Sequence, residues 1–237
     1  MRTDNRPPSI WYAETVEHDA LVGRLRPISD DERLCARGFR SAADRDRYVT
    51  GRLLLRLALS AAVANRVQPS AWRFAFDRLS KPRVSPHLPQ VHFNLAHAGR
   101  MAVVAVDADR PVGIDVERID GAPFDLPSIV LSVREKETLD RCAPETRHRE
   151  FLKLWTLKEA LAKRSGGGLG LNLAAVEPEW RVGTPTQRIV TSNATLETRT
   201  IGMPDGAYQV SVALAADARE PTWNRVDLLV GQLTPEG

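Results

Sequence analysis

Gly113-Ile114-Asp115-Val116-Glu117 and Trp155-Thr156-Leu157-Lys158-Glu159-Ala160-Leu161-Ala162-Lys163 are the two stretches on which the reading of this chain turns. The first reads as a strand, Val112 to Arg118. Side chains on a strand alternate between faces, so Asp115 and Glu117 share one side while Ile114 and Val116 take the other. Two carboxylates so placed repel unless something positive lies between them. A hard divalent cation meets that need, and an all-oxygen donor set favours Mg²⁺ or Mn²⁺ over Zn²⁺. The second stretch reads as a helix in which Trp155, Glu159 and Lys163 form one stripe at four-residue spacing, with Leu152, Leu154, Leu157 and Leu161 on the buried side. Each pattern has an ordinary explanation too, as a solvated strand face and as an i,i+4 salt bridge. A third carboxylate brought from the helix to the strand pair would complete a Mg²⁺ site with positions open to phosphate oxygens and water.

Outward from these stretches the chain alternates strands and helices. Upstream come a strand at 9–15, a short helix near 17–25, a helix opening at Ser29 with a carboxylate three residues on, and a long helix from Ala42 to Arg66. The long helix has apolar positions at Leu53, Leu54, Leu57, Ala58, Ala61 and Ala62, and an opposite face carrying Arg45, Arg52 and Arg56. Strands follow near Trp72–Phe76, Val91–Leu95 and Ala102–Val106. Downstream lie helices near Val133–Arg141 and from Glu145 to Ser165, the second stopped by Gly166 to Gly168, and then strands near 194–200, 208–215 and 226–230. Met101 to Pro111 is echoed by Val210 to Pro221, an apolar strand and then a charged turn ending in proline. The order strand, helices, strands thus occurs twice. The expected fold is α+β: two similar lobes related by a pseudo-two-fold axis, divided as 1–107 and 108–237, with the active site in the cleft between them.

Composition bounds what such a protein does. Its 237 residues are 43% hydrophobic and 27% charged, the balance of a globular protein with a core rather than a disordered chain. The longest apolar stretches, Leu57 to Ala64 and Met101 to Val106, are too short to cross a bilayer, and no apolar run follows the N-terminal charges as in a secretory signal. Two cysteines, Cys35 and Cys142, make neither a disulfide framework nor a metal motif, so a cytoplasmic protein with reduced thiols is expected. Residues 1–106 hold 17 Lys/Arg against 10 Asp/Glu, and residues 107–237 hold 16 against 20. That division suggests an anionic ligand held by the first half and carboxylates supplied by the second. The arginines are scattered and no stacking aromatics are interleaved with them, which argues against a nucleic-acid partner.

A third motif lies in the basic half: Lys81-Pro82, then Phe93-Asn94-Leu95-Ala96-His97. Lys81 before a proline is a fixed point charge, and His97 after a strand can donate to a phosphate. In this order and spacing the three motifs resemble the surfactin-synthetase type of 4′-phosphopantetheinyl transferase, which carries Lys-Pro, Phe-Asn-x-Ser-His, Gly-Ile-Asp-x-Glu and Trp-x-x-Lys-Glu-(Ala/Ser)-x-x-Lys. The Gly-x-Gly-Leu that follows in the family is matched at Gly166 to Leu169, and Gly51-Arg52 in the long helix is similar as well. The resemblance runs from about residue 28 to residue 215, and the length matches the two-lobed, monomeric form.

The resemblance implies transfer of the phosphopantetheine arm of coenzyme A to a serine of an acyl, peptidyl or aryl carrier protein, with release of 3′,5′-adenosine bisphosphate. It implies that Asp115, Glu117 and Glu159 hold Mg²⁺, that Glu159 is the general base, and that Lys163 stabilises the phosphate under attack or protonates the leaving group. Arg45, Arg52, Lys81 and His97 would bind the cofactor's phosphates. The loop from Arg118 to Pro127 and the helix after it would receive the carrier, with Arg118, Ile119, Phe124 and Leu126 as candidate contacts. Two departures stand out. Ala96 replaces the usual hydroxyl residue before the histidine. Glu32 and Cys35 occupy positions where relatives place lysines against the 3′-phosphate, leaving Arg33, Arg37 or Arg45 as substitutes. The competing readings are a Mg²⁺-dependent phosphodiesterase acting on nucleotide diphosphates and a non-catalytic binding module.

Overall fold

The computed structural model describes residues 6–21, 27–76, 82–120, 130–166, 172–229 and 232–236. Lys81, the loop residues 121–127 and Gly167 to Leu169 lie outside the described residues, so the roles expected of them are not placed. The fold is α+β and divides into two compact units, one made of Met1–Pro111 with Ala218–Gly237, the other of Val112–Asp217.

The first unit is built on β1 (Ser9–Glu14), β4 (His92–Ala98), β5 (Met101–Asp107), β10 (Thr222–Asp227) and β11 (Gln232–Glu236). They form a sheet in the order β11-β10-β1-β5-β4, antiparallel except where β1 and β10 run parallel. Across it lies α3 (Ala42–Ala62), capped by Ser41, whose hydroxyl accepts from the Asp44 amide. Leu53, Leu54, Ala58 and Leu59 of α3 pack on Trp11, Ala13, Ala102, Val104 and Val106, all from one face of β1 and β5. The other face, with Ile10, Tyr12, Val103 and Ala105, is buried as well, which is why Met101 to Val106 reads as an unbroken apolar run. The unit also holds α1 (His18–Leu21), α2 (Asp30–Arg37) and a small ribbon of β2 (Phe74–Phe76) with β3 (Pro82–Val84). Ser29 and Glu32 close a reciprocal capping box on α2, as the Ser-x-x-Glu spacing predicts.

Two expectations for this unit change. Arg56 is not on an outer face of the long helix: it is 1% exposed. Its guanidinium donates to Glu32 Oε2 at 3.0 Å and to the carbonyls of Pro69 and Trp72 at 2.9 and 3.0 Å, which satisfies a charge that apolar periodicity marks as solvated. The helix also ends at Ala62 rather than Arg66, since Ala64 and Asn65 turn into the left-handed region (φ 53° and 57°).

The second unit is a four-stranded antiparallel sheet in the order β6 (Gly113–Arg118), β9 (Gly206–Leu214), β8 (Thr195–Met203), β7 (Thr186–Val190). Over it lies α5 (Pro144–Ser165), preceded by α4 (Val133–Asp140), whose Ser132 and Glu135 make a second capping box. Proline stands in the first turn of α5, and Gly166 at φ 74° stops it, a conformation that suits glycine. Thr156 of α5 bonds Ser211 of β9 (Oγ1 to Oγ, 2.7 Å), and Ser211 donates to Thr198 of β8 at 2.9 Å, a buried polar row under the helix. Leu157 and Ala160 meet Leu196, Ala213 and Ile189.

The division at residue 107 and the assignment of all later residues to one lobe need correction. β10 hydrogen-bonds beside β1, from Ser9 opposite Thr222 to Tyr12 opposite Arg225, and Trp223 on it is 1% exposed. The first unit is therefore discontinuous in sequence, and its C-terminal strands come from beyond residue 217. Of the two echoing strand-and-proline segments, the first ends at Pro111, where the chain leaves the first unit, and the second, Val210 to Pro221, spans its return after Asp217.

Candidate active site

The second unit gathers the acidic motif around one close approach. Gly113 on β6 lies against the backbone of α5, where a Cβ would stand 2.0 Å from the Ala160 carbonyl oxygen and 2.5 Å from the Arg164 nitrogen. Only a residue without a side chain lets the helix come down this far. The approach brings the Trp155, Glu159 and Lys163 stripe of α5 to the face of β6 that carries Asp115 and Glu117.

Lys163 Nζ donates to Asp115 Oδ1 at 2.5 Å, and the Trp155 indole N–H donates to Glu117 Oε1 at 3.3 Å. Asp115 is 6% exposed, and its second oxygen, Oδ2, is buried without a hydrogen-bond partner. Burial pushes the Asp115 carboxyl up to about 6. The Lys163 ammonium opposes that rise, and the charges of Glu117 and Glu159 add to it. Glu117 is also raised, first by burial, with the Trp155 hydrogen bond opposing and Glu159 adding repulsion. Glu159 itself is half-buried and near enough for its charge to act on both. Lys158, the neighbour of Glu159, points elsewhere. It is fully buried, held below the usual lysine range by that burial, and paired with Glu135 at 2.5 Å.

Among the described residues no three His, Cys, Asp or Glu side chains are gathered at metal-binding spacing. The donor chemistry nevertheless suits a hard cation: three carboxylates in mutual repulsion, one with an unpaired buried oxygen, and no nitrogen or sulfur among them.

In the first unit the basic candidates are spread over two elements. Arg52 of α3 lines a cavity of about 810 Å³ with Ser29 to Arg33, Cys35, Tyr48 and Arg73. It also lines a smaller one of about 210 Å³ with Pro82, Phe93 and Asn94, so it links the Lys-Pro and Phe-Asn motifs. The guanidinium of Arg52 lies 5.1 Å from the Tyr48 ring centre and 3.8 Å from Glu32 Oε1. Burial and a hydrogen bond with Cys35 push the Tyr48 hydroxyl up to about 12. Glu32 is committed to Arg56 at 2.8 Å. Arg45 lies 3.5 Å from Asp46, and Arg33 lies 3.9 Å from Asp30. His97 is exposed on β4, and Ala96 before it is buried. Sequence reading assigned no role to Trp155 beyond its stripe, to Gly113 or to Lys158. The four-residue spacing from Trp155 to Glu159 signals the first, and the other two are signalled by their places in the Gly-Ile-Asp-x-Glu and Trp-x-x-Lys-Glu motifs, which do not say what they touch.

Fold and site define a class: an α+β protein whose paired-carboxylate strand lies under a helix bearing a third carboxylate and a lysine. Comparison with known proteins gives the class its family. Residues 111–213 match the model of the 4′-phosphopantetheinyl transferase superfamily. A 4′-phosphopantetheinyl transferase of Bacillus subtilis is 35% identical over 63% of this chain and 65% of its own length, just under two thirds of that relative. The 4′-phosphopantetheinyl transferase psf-1 of Bacillus pumilus is 31% identical over 81% of each chain. An L-aminoadipate-semialdehyde dehydrogenase-phosphopantetheinyl transferase of Xenopus laevis is 25% identical over 86% of this chain and 65% of its own length. The chain belongs to the 4′-phosphopantetheinyl transferase family.

Proposed function

We propose that this protein transfers the 4′-phosphopantetheine arm of coenzyme A to a serine hydroxyl of an acyl, peptidyl or aryl carrier protein. The observation that carries the reading is the contact of the half-buried Lys163 with the buried Asp115, at 2.5 Å, inside the charge field of Glu117 and Glu159. In the reaction the serine oxygen forms a bond to the phosphorus that bears the pantetheine arm. The bond from that phosphorus to the bridging oxygen breaks, and 3′,5′-adenosine bisphosphate leaves with the electron pair. Asp115, Glu117 and Glu159 would hold a divalent cation, which when bound supplies positive charge to the pyrophosphate oxygens.

The chain's own groups do the rest. Glu159, half-buried, accepts the serine proton directly or through one water. Lys163 keeps an ammonium where negative charge grows on the phosphoryl oxygens, and it can release a proton to the leaving oxygen. Trp155 holds Glu117 in orientation through its indole N–H. Arg45, Arg52, Lys81 and His97 are the candidates for the cofactor's phosphates, with Arg52 supported by its place in the cavity beside Tyr48. Its ion pair with Glu32 offsets part of its charge, so Arg52 acts as much by stacking and shape as by attraction.

The test is mass spectrometry of an apo carrier protein after incubation with coenzyme A and Mg²⁺. The expected result is a gain of one phosphopantetheine arm on the carrier serine. Cleavage of the nucleotide without that gain would overturn the reading in favour of a phosphodiesterase. Glu159→Gln keeps the side-chain shape but removes the base, so the transfer rate constant should fall by about 10²- to 10⁴-fold. An unchanged rate would remove Glu159 from proton transfer.

A further inference from the structure

Lys158 precedes Glu159 in the chain, yet its side chain enters the interior. Its ammonium donates to the Val130 carbonyl at 2.8 Å, the Leu173 carbonyl at 2.9 Å and Glu135 Oε2 at 2.5 Å. An ammonium has three protons, and all three are used. The acceptors come from three places. Val130 precedes α4. Glu135 lies in its first turn, where the same oxygen also accepts from the Ser132 amide at 2.8 Å. Leu173 opens the short turn Leu173–Ala175 that follows α5.

This arrangement keys α5 about its own axis. Successive residues on a helix are about 100° apart, so a side chain fixed at 158 also sets the direction of Glu159 and, a turn later, of Lys163. Apolar packing at 158 would fill the same space without fixing that rotation, because dispersion contacts are weakly directional and three hydrogen bonds are not. Stability alone does not explain the charge, since replacing a buried ion pair with apolar groups of similar volume is often neutral or favourable.

We infer that Lys158 is a positioning residue for the transfer reaction. Its three-acceptor anchor sets the rotation of α5, which delivers Glu159 and Lys163 to the Asp115 and Glu117 face. The inference rests on the reading of Glu159 and Lys163 as acting groups.

Lys158→Met alone strands the Glu135 carboxylate and is expected to fold poorly. The informative variant is therefore Lys158→Met with Glu135→Leu, which removes both charges. It should melt within a few degrees of the natural protein, with kcat for arm transfer at least tenfold lower and KM for coenzyme A unchanged. Parental kcat in a variant of parental stability would overturn the role. If the pair does not fold, Glu135→Gln and Lys158→Arg serve in its place, since both keep a hydrogen bond between the two positions. Glutamine keeps an acceptor for Lys158 and should hold kcat within about twofold of the natural protein, whereas the planar guanidinium of Lys158→Arg cannot reproduce the three-acceptor anchor and should lose at least fivefold; equal rates in the two would overturn the role. A natural protein that transfers no arm to any carrier fails the reading and the inference together. Normal transfer with no loss in these variants fails the inference alone.

Discussion

A carboxylate that is 6% exposed, with an ammonium on one oxygen and no partner on the other, is costly to keep charged. In the folded protein Asp115 titrates near 6, against 3.8 for an ordinary aspartate. Below pH 3.8 the group is protonated in both states and folding loses nothing. As pH rises from there through 6, the unfolded chain gives up its proton first, so stability falls by about 3 kcal/mol. Urea unfolding from pH 4 to 7.5 in a chelator should show this decline in the natural protein and a clearly smaller one in Asp115→Asn, where only the raised Glu117 carboxyl still contributes. Adding Mg²⁺ at pH 7.5 should restore stability to the natural protein alone, because a cation that binds only the folded state stabilises it. The buried Arg56 obeys the complementary logic. Arg56→Met leaves Glu32 without its main partner and should cost about 3–5 kcal/mol, most of which Arg56→Met with Glu32→Met recovers. A Glu32 whose loss is silent would show that the pair holds nothing together.

Elements meet through small contacts whose failure is large. The packing of α5 on β6 depends on the missing side chain of Gly113, since a methyl there would overlap the Ala160 carbonyl at 2.0 Å. A backbone atom cannot rotate away as a side chain can, so the helix must move. Gly113→Ala is expected to cost about 1–3 kcal/mol, the usual range for overpacking. Its larger effect should be on transfer, with at least a tenfold loss, because α5 carries Glu159 and Lys163. Chemical denaturation and the carrier mass assay on one preparation separate the two effects. Parental activity would mean that the helix can shift without disturbing the site. Two helix ends at this scale were readable in advance: Ser29 with Glu32 and Gly166 act where their spacing predicts, because capping is decided within one turn. The strand β3 and the edge strand β7 were not, being short and without clean alternation.

For the whole molecule, the first unit depends on strands that arrive after the second is complete. β10 lies between β1 and β11, and Trp223 and Val226 on it are buried. Deleting residues 218–237 removes that pairing and leaves β1 with an open edge. The truncated chain should lose cooperative unfolding of the first unit and yield rapidly to protease within residues 6–107. The second unit, Val112–Asp217, contains all its own strands and should keep its helix signal. A truncated chain with the natural melting curve would show that β10 is dispensable.

What the sequence determined by itself is local or periodic: the α+β alternation, the start of α2 at Ser29 and the stop of α5 at Gly166, the shared face of Asp115 and Glu117, and the stripe of Trp155, Glu159 and Lys163. Each follows from spacing within a turn or along a strand, where backbone geometry leaves few alternatives. The motifs in order also sufficed to place the chain in its family. Tertiary structure alone decided the rest: that β10 returns to pair with β1, that Arg56 and Lys158 are buried and fully engaged, and that Gly113 admits the helix. Those outcomes depend on partners far away in the chain. A charged side chain is soluble or buried according to whether distant carbonyls and carboxylates converge on it, and one-dimensional periodicity holds no record of that convergence.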